Sequence, residues 1–279
     1  MTTSNTSTAN DSTATKEWQP SCSRCTQTGI YNRDYQGKGK LTSIADQPCY
    51  EVPSPSSTTS TPPSPHAIVY LPDVFGIFPG TLEAADTYQH TTQNYRVIVV
   101  DFFHGHGLSP DTPVITDPSQ INPAVKVKLD AWSASGHSME RSIGMSHAVL
   151  KALEEDSQVA SVQLIGMCYG AHPIVSIITA PSAYTKLKSA VLVHPGDFDT
   201  SAVENITIPV ALVVAEKDVH FGQGEKIMQV LNDKEVKYQL YNEFPGTTHG
   251  FATRPVDEGE AKQKSRAIEL IAKWFVQHG

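Results

Sequence analysis

A thiol, a carboxylate and an imidazole each follow the end of an apolar run in this chain. Cys168 comes after SVQLIGM (161–167), Asp218 after PVALVVAE (209–216), and His249 after VKYQLYNEF (236–244). In that order the three groups can form a relay. The imidazole takes the proton of the thiol, and the carboxylate orients the imidazole and stabilises its charge. The spacing around the thiol, Gly166-Met167-Cys168-Tyr169-Gly170, has a steric reason. Where a strand turns sharply into a helix, the residue at the turn is held in strained backbone geometry. The neighbours two before and two after it must then be small. The same turn sets Cys168 at a helix N-terminus, whose positive dipole end favours thiolate, and Pro173 suits the first helical turn. An isolated cysteine would be read as a small buried residue; the flanking glycines and the two partners make this one a nucleophile. Two other histidines compete for the role of base. His194 also ends an apolar run and is assigned to supporting the top of the sheet, and His220 lies two residues beyond Asp218. Neither follows the last run.

The elements that must position these groups alternate. HAIVYL (66–71), RVIVVDFF (96–103), SVQLIGM (161–167), SAVLVH (189–194), PVALVVAE (209–216) and VKYQLYNEF (236–244) read as strands. Helical segments are expected near 81–93, 138–155, 170–179, 221–233 and 257–277. Alternation of this kind predicts an α/β fold, a mostly parallel central sheet with helices on both faces. In such a sheet ligands bind beyond the carboxyl ends of the strands, where Cys168, Asp218 and His249 all stand. Residues 104–135, rich in Gly, Pro and Ser, are expected to be irregular and to form a lid or pocket wall. Residues 1–20 have little to bury and read as a disordered tail. The low-complexity stretch PSPSSTTSTPPSP (53–65) reads as an exposed loop inside a single domain covering 21–279. The segment 22–52 could cover a sheet edge or contact a partner.

The 279 residues carry 21 Lys and Arg against 29 Asp and Glu, a net charge of −8 with no basic cluster. Nucleic acid and anionic membrane surfaces are therefore not expected partners. No run approaches the length of a membrane span, the N-terminus lacks the apolar core of a secretory signal, and four cysteines are too few for a disulfide scaffold. A reducing, cytoplasmic location is the expectation. No cofactor is expected. His104-Gly105-His106 offers two ligands without a third, and Cys22-x-x-Cys25 has no second pair, Cys49 being a lone third, so no metal is assigned.

The set of motifs resembles the dienelactone hydrolase family of the α/β-hydrolase superfamily, which carries a Cys–Asp–His triad in this order. The resemblance covers residues 66–279 and rests on GMCYGAH (166–172), LPDVFGIF (71–78), VVDFFHG (99–105), LVHPG (192–196), AEKD (215–218) and HGFATR (249–254). It implies an α/β-hydrolase fold, with the Val74 and Tyr169 backbone amides as the oxyanion hole. It also implies that Asp73 stands where the family has a glutamate that helps switch the thiol on; the carboxylate here is one methylene shorter. Of two arginines that hold a substrate carboxylate in the family, the first has no counterpart in Asp101-Phe102-Phe103-His104-Gly105, and the second corresponds to Arg254 with a shift of one residue. A dienelactone acid is therefore not the expected substrate. Asp73, Phe75, His104, Trp132, Arg254 and the ring of Tyr169 are candidate substrate contacts. For Arg254 a surface ion pair, and for Trp132 packing within the lid, are equally good readings.

A thiol constrains the substrate. The intermediate formed by thiolate on an alkyl ester expels thiolate more readily than alkoxide, because the thiol is much the stronger acid. Enol esters, aryl esters, strained lactones and thioesters have leaving groups good enough to go forward. The leading expectation is a cysteine-dependent hydrolase of such activated esters or lactones, working through an S-acyl enzyme. Three alternatives stay open: a thioesterase or acyl-releasing enzyme of secondary metabolism, a non-catalytic binder of a small ligand on the same fold, and a peroxide-sensing thiol that lacks an obvious resolving cysteine.

Overall fold

The computed structural model describes residues 29–55, 63–112, 123–180, 184–196, 200–218 and 221–279. The expectations for the 1–20 tail, for Cys22, Cys25 and His220, and for parts of the 53–65 loop and the 104–135 segment lie outside those residues.

The strands are β1 (Lys40–Ile44), β2 (Gln47–Val52), β3 (His66–Leu71), β4 (Arg96–Val100), β5 (Ser161–Met167), β6 (Leu187–Val193), β7 (Val210–Val213) and β8 (Tyr238–Tyr241). The helices are α1 (Pro79–Thr91), α2 (Pro123–Ala134), α3 (Met139–Glu155), α4 (Ala171–Thr179), α5 (Phe221–Asn232) and α6 (Glu258–His278). Among the described residues the strands form one eight-stranded sheet in the order β1-β2-β4-β3-β5-β6-β7-β8. Pairing is parallel from β4 to β8, and β1 and β2 add an antiparallel edge. This is the expected α/β-hydrolase architecture.

The pleat explains why both faces are covered. Along β3, Ala67, Val69 and Leu71 enter one core while Ile68 and Tyr70 enter the other. β4 divides in the same way into Ile98 and Val100 against Val97 and Val99, and β6 into Ala190 and Leu192 against Val191 and Val193. Strands apolar at every position must be buried on both sides. Met145, Val149 and Leu153 of α3, Ile174 and Ile178 of α4, and Ile227 and Leu231 of α5 close the first core. Ala84 and Tyr88 of α1 and Ala267, Ile271 and Phe275 of α6 close the second.

The runs expected as strands at 96–103, 209–216 and 236–244 are strand only over Arg96–Val100, Val210–Val213 and Tyr238–Tyr241, and two further elements differ from expectation. Residues 104–135 are not irregular throughout, because α2 occupies 123–134. Its exposed Val127 and its surface Lys126–Asp130 pair, 2.7 Å apart, leave no apolar stripe for periodicity to reveal. The segment 40–52 is a hairpin that supplies the sheet edge. Its turn residues Ala45 and Asp46 have φ of 49° and 60°, values that usually call for Gly or Asn, so the turn has no sequence signature. No helix among the described residues is long and apolar enough to cross a membrane.

Candidate active site

The sheet order reverses between β3 and β5, which pair directly with Leu71 opposite Gly166. The segment after β3 and the turn after β5 therefore emerge side by side. Cys168 has φ of 49°, the left-handed region that an L-residue occupies only under strain. Cys168–Gly170 form one 3-10 turn leading into α4. The flanking glycines answer to specific atoms. A Cβ on Gly166 would stand 2.4 Å from the Gly170 carbonyl oxygen, and a Cβ on Gly170 would stand 2.0 Å from that of Leu71. The elbow is packed backbone against backbone, and only hydrogen fits at either position.

His249 bridges the other two groups. Its Nε2 lies 3.1 Å from Cys168 Sγ, and its Nδ1 lies 2.9 Å from Asp218 Oδ2. The Asp218 side chain is 1% exposed and that of His249 21%, so the acid is sealed in while the imidazole and the thiol reach the surface of the cleft. Burial alone would discourage charge on His249. The Cys168 sulfur and the hydrogen-bonded Asp218 carboxylate outweigh it, and the imidazole pKa stands well above its ordinary value.

Cross-links between loops set this alignment. Lys217 N–H donates to the Thr247 carbonyl at 3.0 Å, Glu216 N–H to Thr247 Oγ1 at 3.1 Å, and Gly246 N–H to Glu216 Oε2 at 2.8 Å. The segment carrying Asp218 is thus sewn to the segment carrying His249. Glu260, buried in the first turn of α6, then fixes the residues around the histidine. Its Oε1 accepts from Thr248 N–H at 2.8 Å and Thr248 Oγ1 at 2.7 Å, and its Oε2 accepts from Val256 N–H at 2.8 Å. Sequence reading passed over Glu260, because a glutamate in a first helical turn looks like ordinary dipole complementation.

Of the two competing histidines, His194 is the one among the described residues. It stands at the end of β6, opposite His249 rather than in its place. The two rings meet edge to face with centroids 5.1 Å apart. His194 is fully buried, neither ring nitrogen has a hydrogen-bond partner, and burial, with His249 as a lesser cause, pushes its pKa down to about 3.

The remaining candidates divide by location. Val74 follows β3, and its carbonyl accepts from Leu108 N–H at 2.8 Å. Asp73 is buried, its Oδ1 accepts from Phe75 N–H at 3.0 Å, and burial raises its carboxyl to about 6. Tyr169 is half-buried against Phe102 and Phe103, with its hydroxyl 3.0 Å from Ser142 Oγ. Trp132 packs 4.9 Å from the Phe103 ring and donates from Nε1 to the His106 carbonyl at 3.0 Å. His104 is exposed at φ of 51° with Nε2 2.6 Å from the Arg141 guanidinium. Arg254, 4% exposed, is no surface residue: its guanidinium carbon lies 4.1 Å from the centre of the Phe75 ring. Among the described residues no group of three His, Cys, Asp or Glu is arranged to hold a metal.

An arrangement with a strained, accessible thiol, an imidazole within hydrogen-bond reach and a sealed carboxylate behind it is suited to acyl transfer. Comparison with known proteins points the same way. The profile described as the dienelactone hydrolase family matches residues 56–279. A carboxymethylenebutenolidase homolog of Mus musculus is 25% identical over 252 residues, covering 86% of this chain and 93% of that protein. The Xenopus tropicalis protein of the same description is 28% identical, covering 87% and 92%. Among solved structures, a Klebsiella pneumoniae protein described as a dienelactone hydrolase superposes with a TM-score of 0.62 at 17% identity, covering 86% of this chain and 98% of its own.

Proposed function

The chain belongs to the dienelactone hydrolase family of ester and lactone hydrolases, and from that premise we propose that it cleaves activated esters or lactones through an S-acyl enzyme on Cys168. The observation that carries this reading is the pair of contacts made by one imidazole, 3.1 Å to Cys168 Sγ and 2.9 Å to Asp218 Oδ2. In the first half-reaction the Cys168 proton passes to His249 Nε2, and the sulfur adds to the acyl carbonyl carbon. The developing oxyanion is held by the Val74 and Tyr169 amides. The tetrahedral intermediate then expels the enolate or phenolate oxygen, which His249 protonates. In the second, water attacks the thioester carbonyl and gives its proton to His249, and Cys168 leaves with the carboxylic acid released. Asp218 keeps Nδ1 protonated and offsets the imidazolium charge throughout.

A sulfur nucleophile favours substrates whose leaving group is a weaker base than an alkoxide, so enol lactones and aryl esters come ahead of alkyl esters and amides. We place the enzyme in the cytoplasm, with a small-molecule ester or lactone as its partner and neither nucleic acid nor membrane bound. The Cys168 thiol, free and open to the cleft, supports a reducing setting.

The test is a stopped-flow reaction of 4-nitrophenyl acetate with intact mass on the quenched protein, for wild type and Cys168→Ala. The expected result is a phenolate burst with one added acetyl group in the wild type and neither in the variant. Equal slow rates for both proteins on this ester and on a panel of lactones and thioesters would overturn the hydrolase reading and leave a binder. Turnover confined to thioesters would move the substrate class to acyl thioesters.

A further inference from the structure

Arg254 sits where four segments of the chain meet. Its backbone N–H donates to the Gly250 carbonyl at 2.8 Å, which ties it to the turn that carries His249. Its guanidinium lies over the Phe75 ring, next to Val74 in the segment after β3. Its Nη1 donates to two carbonyls of the segment after β4, those of Pro110 and Thr112, the second at 2.5 Å. The fourth segment is the strap that begins at Gly29. A Cβ on Gly29 would fall 1.8 Å from Arg254 Cγ, and Ile30 N–H donates to the Pro255 carbonyl at 2.6 Å. Arg33 of the same strap pairs at 2.6 Å with Asp111, the residue between the two carbonyls that Arg254 holds.

The loop gripped in this way is itself fastened to the segment after β3. Leu108 N–H donates to the Val74 carbonyl, and at Gly107 a Cβ would stand 2.3 Å from the Phe75 carbonyl oxygen. The two backbones are in van der Waals contact with no slack between them. A shift of residues 107–112 therefore moves residues 74 and 75 with it.

We propose that Arg254 is a positioning residue that fixes the Val74 amide toward Cys168 by clamping residues 107–112 against Phe75, and that it is not a ligand for a substrate carboxylate. Nη1 bridges two main-chain carbonyls and the guanidinium rests on a phenyl ring, so that nitrogen and one face of the group are committed to the protein. The role uses both hydrogens of Nη1 and the flat face of the guanidinium. A lysine in its place has donors enough for two carbonyls, but its arm is shorter and it has no flat face to lay on Phe75. Arg33–Asp111 is an exposed pair and a supplementary tie.

The kinetic arm of the test rests on the hydrolase reading above; the exchange arm does not. The full chain carrying Arg254→Lys or Arg254→Gln would be compared with wild type on 4-nitrophenyl acetate, which is neutral, and on mono-4-nitrophenyl succinate, which carries a carboxylate. Hydrogen–deuterium exchange of the peptide spanning 104–112 would be followed in parallel. The expected result is a fall in kcat of about 10- to 100-fold, the same on both esters, with KM changed by less than about threefold and no rescue by lysine. The 104–112 peptide should exchange faster in both variants. A rise in KM confined to the succinate ester, with exchange unchanged, would overturn the proposal and make Arg254 a substrate ligand. If wild type turns over neither these esters nor any lactone or thioester of the panel, the hydrolase reading fails while the exchange comparison still decides the clamp. Should the Arg254 variants not fold, Phe75→Leu removes the stacking and keeps the arginine. It should lower kcat on both esters in the same proportion, and an unchanged kcat in that variant would overturn the proposal.

Discussion

His194 meets His249 edge to face, ring centroids 5.1 Å apart and planes at 64°, with both His194 nitrogens sealed away from any partner. The His194 imidazole stays neutral, chiefly because its burial leaves a charge without water or a partner, and further because a cation beside His249 would be repelled. Its folded pKa of about 3 against an ordinary 6.5 says so in thermodynamic terms.

The sign of the consequence follows from linkage. Below pH 6.5 the unfolded chain takes up a proton on His194 that the folded chain refuses until about pH 3, so stability falls as pH falls through that window. His249 has the opposite sign and a different window, since its raised pKa makes its contribution complete below 6.5 and lost as pH rises through the folded value. Replacing His194 with Phe keeps a ring in place and removes the proton. Relative to the variant, wild type should lose about 2 kcal/mol between pH 6.5 and pH 5, read from urea unfolding at each pH. Parallel stability curves for the two proteins would show that His194 titrates normally.

The elbow glycines give a contrast in cost. Gly166→Ala and Gly170→Ala would drive a methyl into backbone carbonyls at 2.4 Å and 2.0 Å, and each should destabilise by roughly 3 kcal/mol or more. Gly105→Ala meets open space and has only its φ of 78° to overcome, about 1 kcal/mol. Thermal unfolding of the three variants should rank them in that order. A wild-type midpoint for Gly170→Ala would mean that the turn is not packed against Leu71.

Glu260 should behave as a positioning residue for His249. Glu260→Gln replaces one carboxylate oxygen with an amide that faces a donor, either Val256 N–H or the Thr248 pair. A buried donor left without an acceptor costs about 1–3 kcal/mol, and the turn before His249 would loosen. The expectation is a fall in kcat of roughly tenfold with little change in KM. Glu260→Asp, which keeps both acceptors on a shorter arm, should recover part of the loss. A variant with wild-type kcat would show that the three bonds are not needed to hold the histidine.

What could be read from the sequence was what steric necessity writes into residue types. Gly166 and Gly170 are glycine because Leu71 and the helix entry leave no room, so the elbow was legible before any coordinate. The two-sided core of β3 to β7 was legible from unbroken apolar runs. The partners of Arg254 were not legible, because Pro110 and Thr112 contribute carbonyls, which every residue has. The hairpin turn at Ala45-Asp46 was hidden for a related reason: it is held by the pairing of β1 with β2, so the residues themselves need no preference for it. His194 was assigned to the top of the sheet, which fits its place, but its edge-to-face contact with His249 depends on the register that sets Met167 opposite Val193.

Asp73 gives the last prediction. Burial lifts its carboxyl to about 6 from an ordinary 3.8, against the pull of the Phe75 amide and the Arg254 charge. A folded pKa above the unfolded one means that the folded chain holds the proton more tightly, so stability falls as pH rises from 3.8 to about 6 and stays low above it. Ionised Asp73 is thus a standing cost at neutral pH of up to about 3 kcal/mol. Asp73→Asn removes the charge and keeps an oxygen for Phe75 N–H, at the expense of a counter-charge for Arg254. The variant should be roughly 1–3 kcal/mol more stable than wild type at pH 7.5, and the gap should close as pH falls to about 3, below the ordinary 3.8, where both side chains are largely neutral in both states. Denaturant unfolding at the two pH values checks it. A variant less stable at pH 7.5, or a gap of the same size at both, would mean that Arg254 and the Phe75 amide hold the carboxylate charged at little cost.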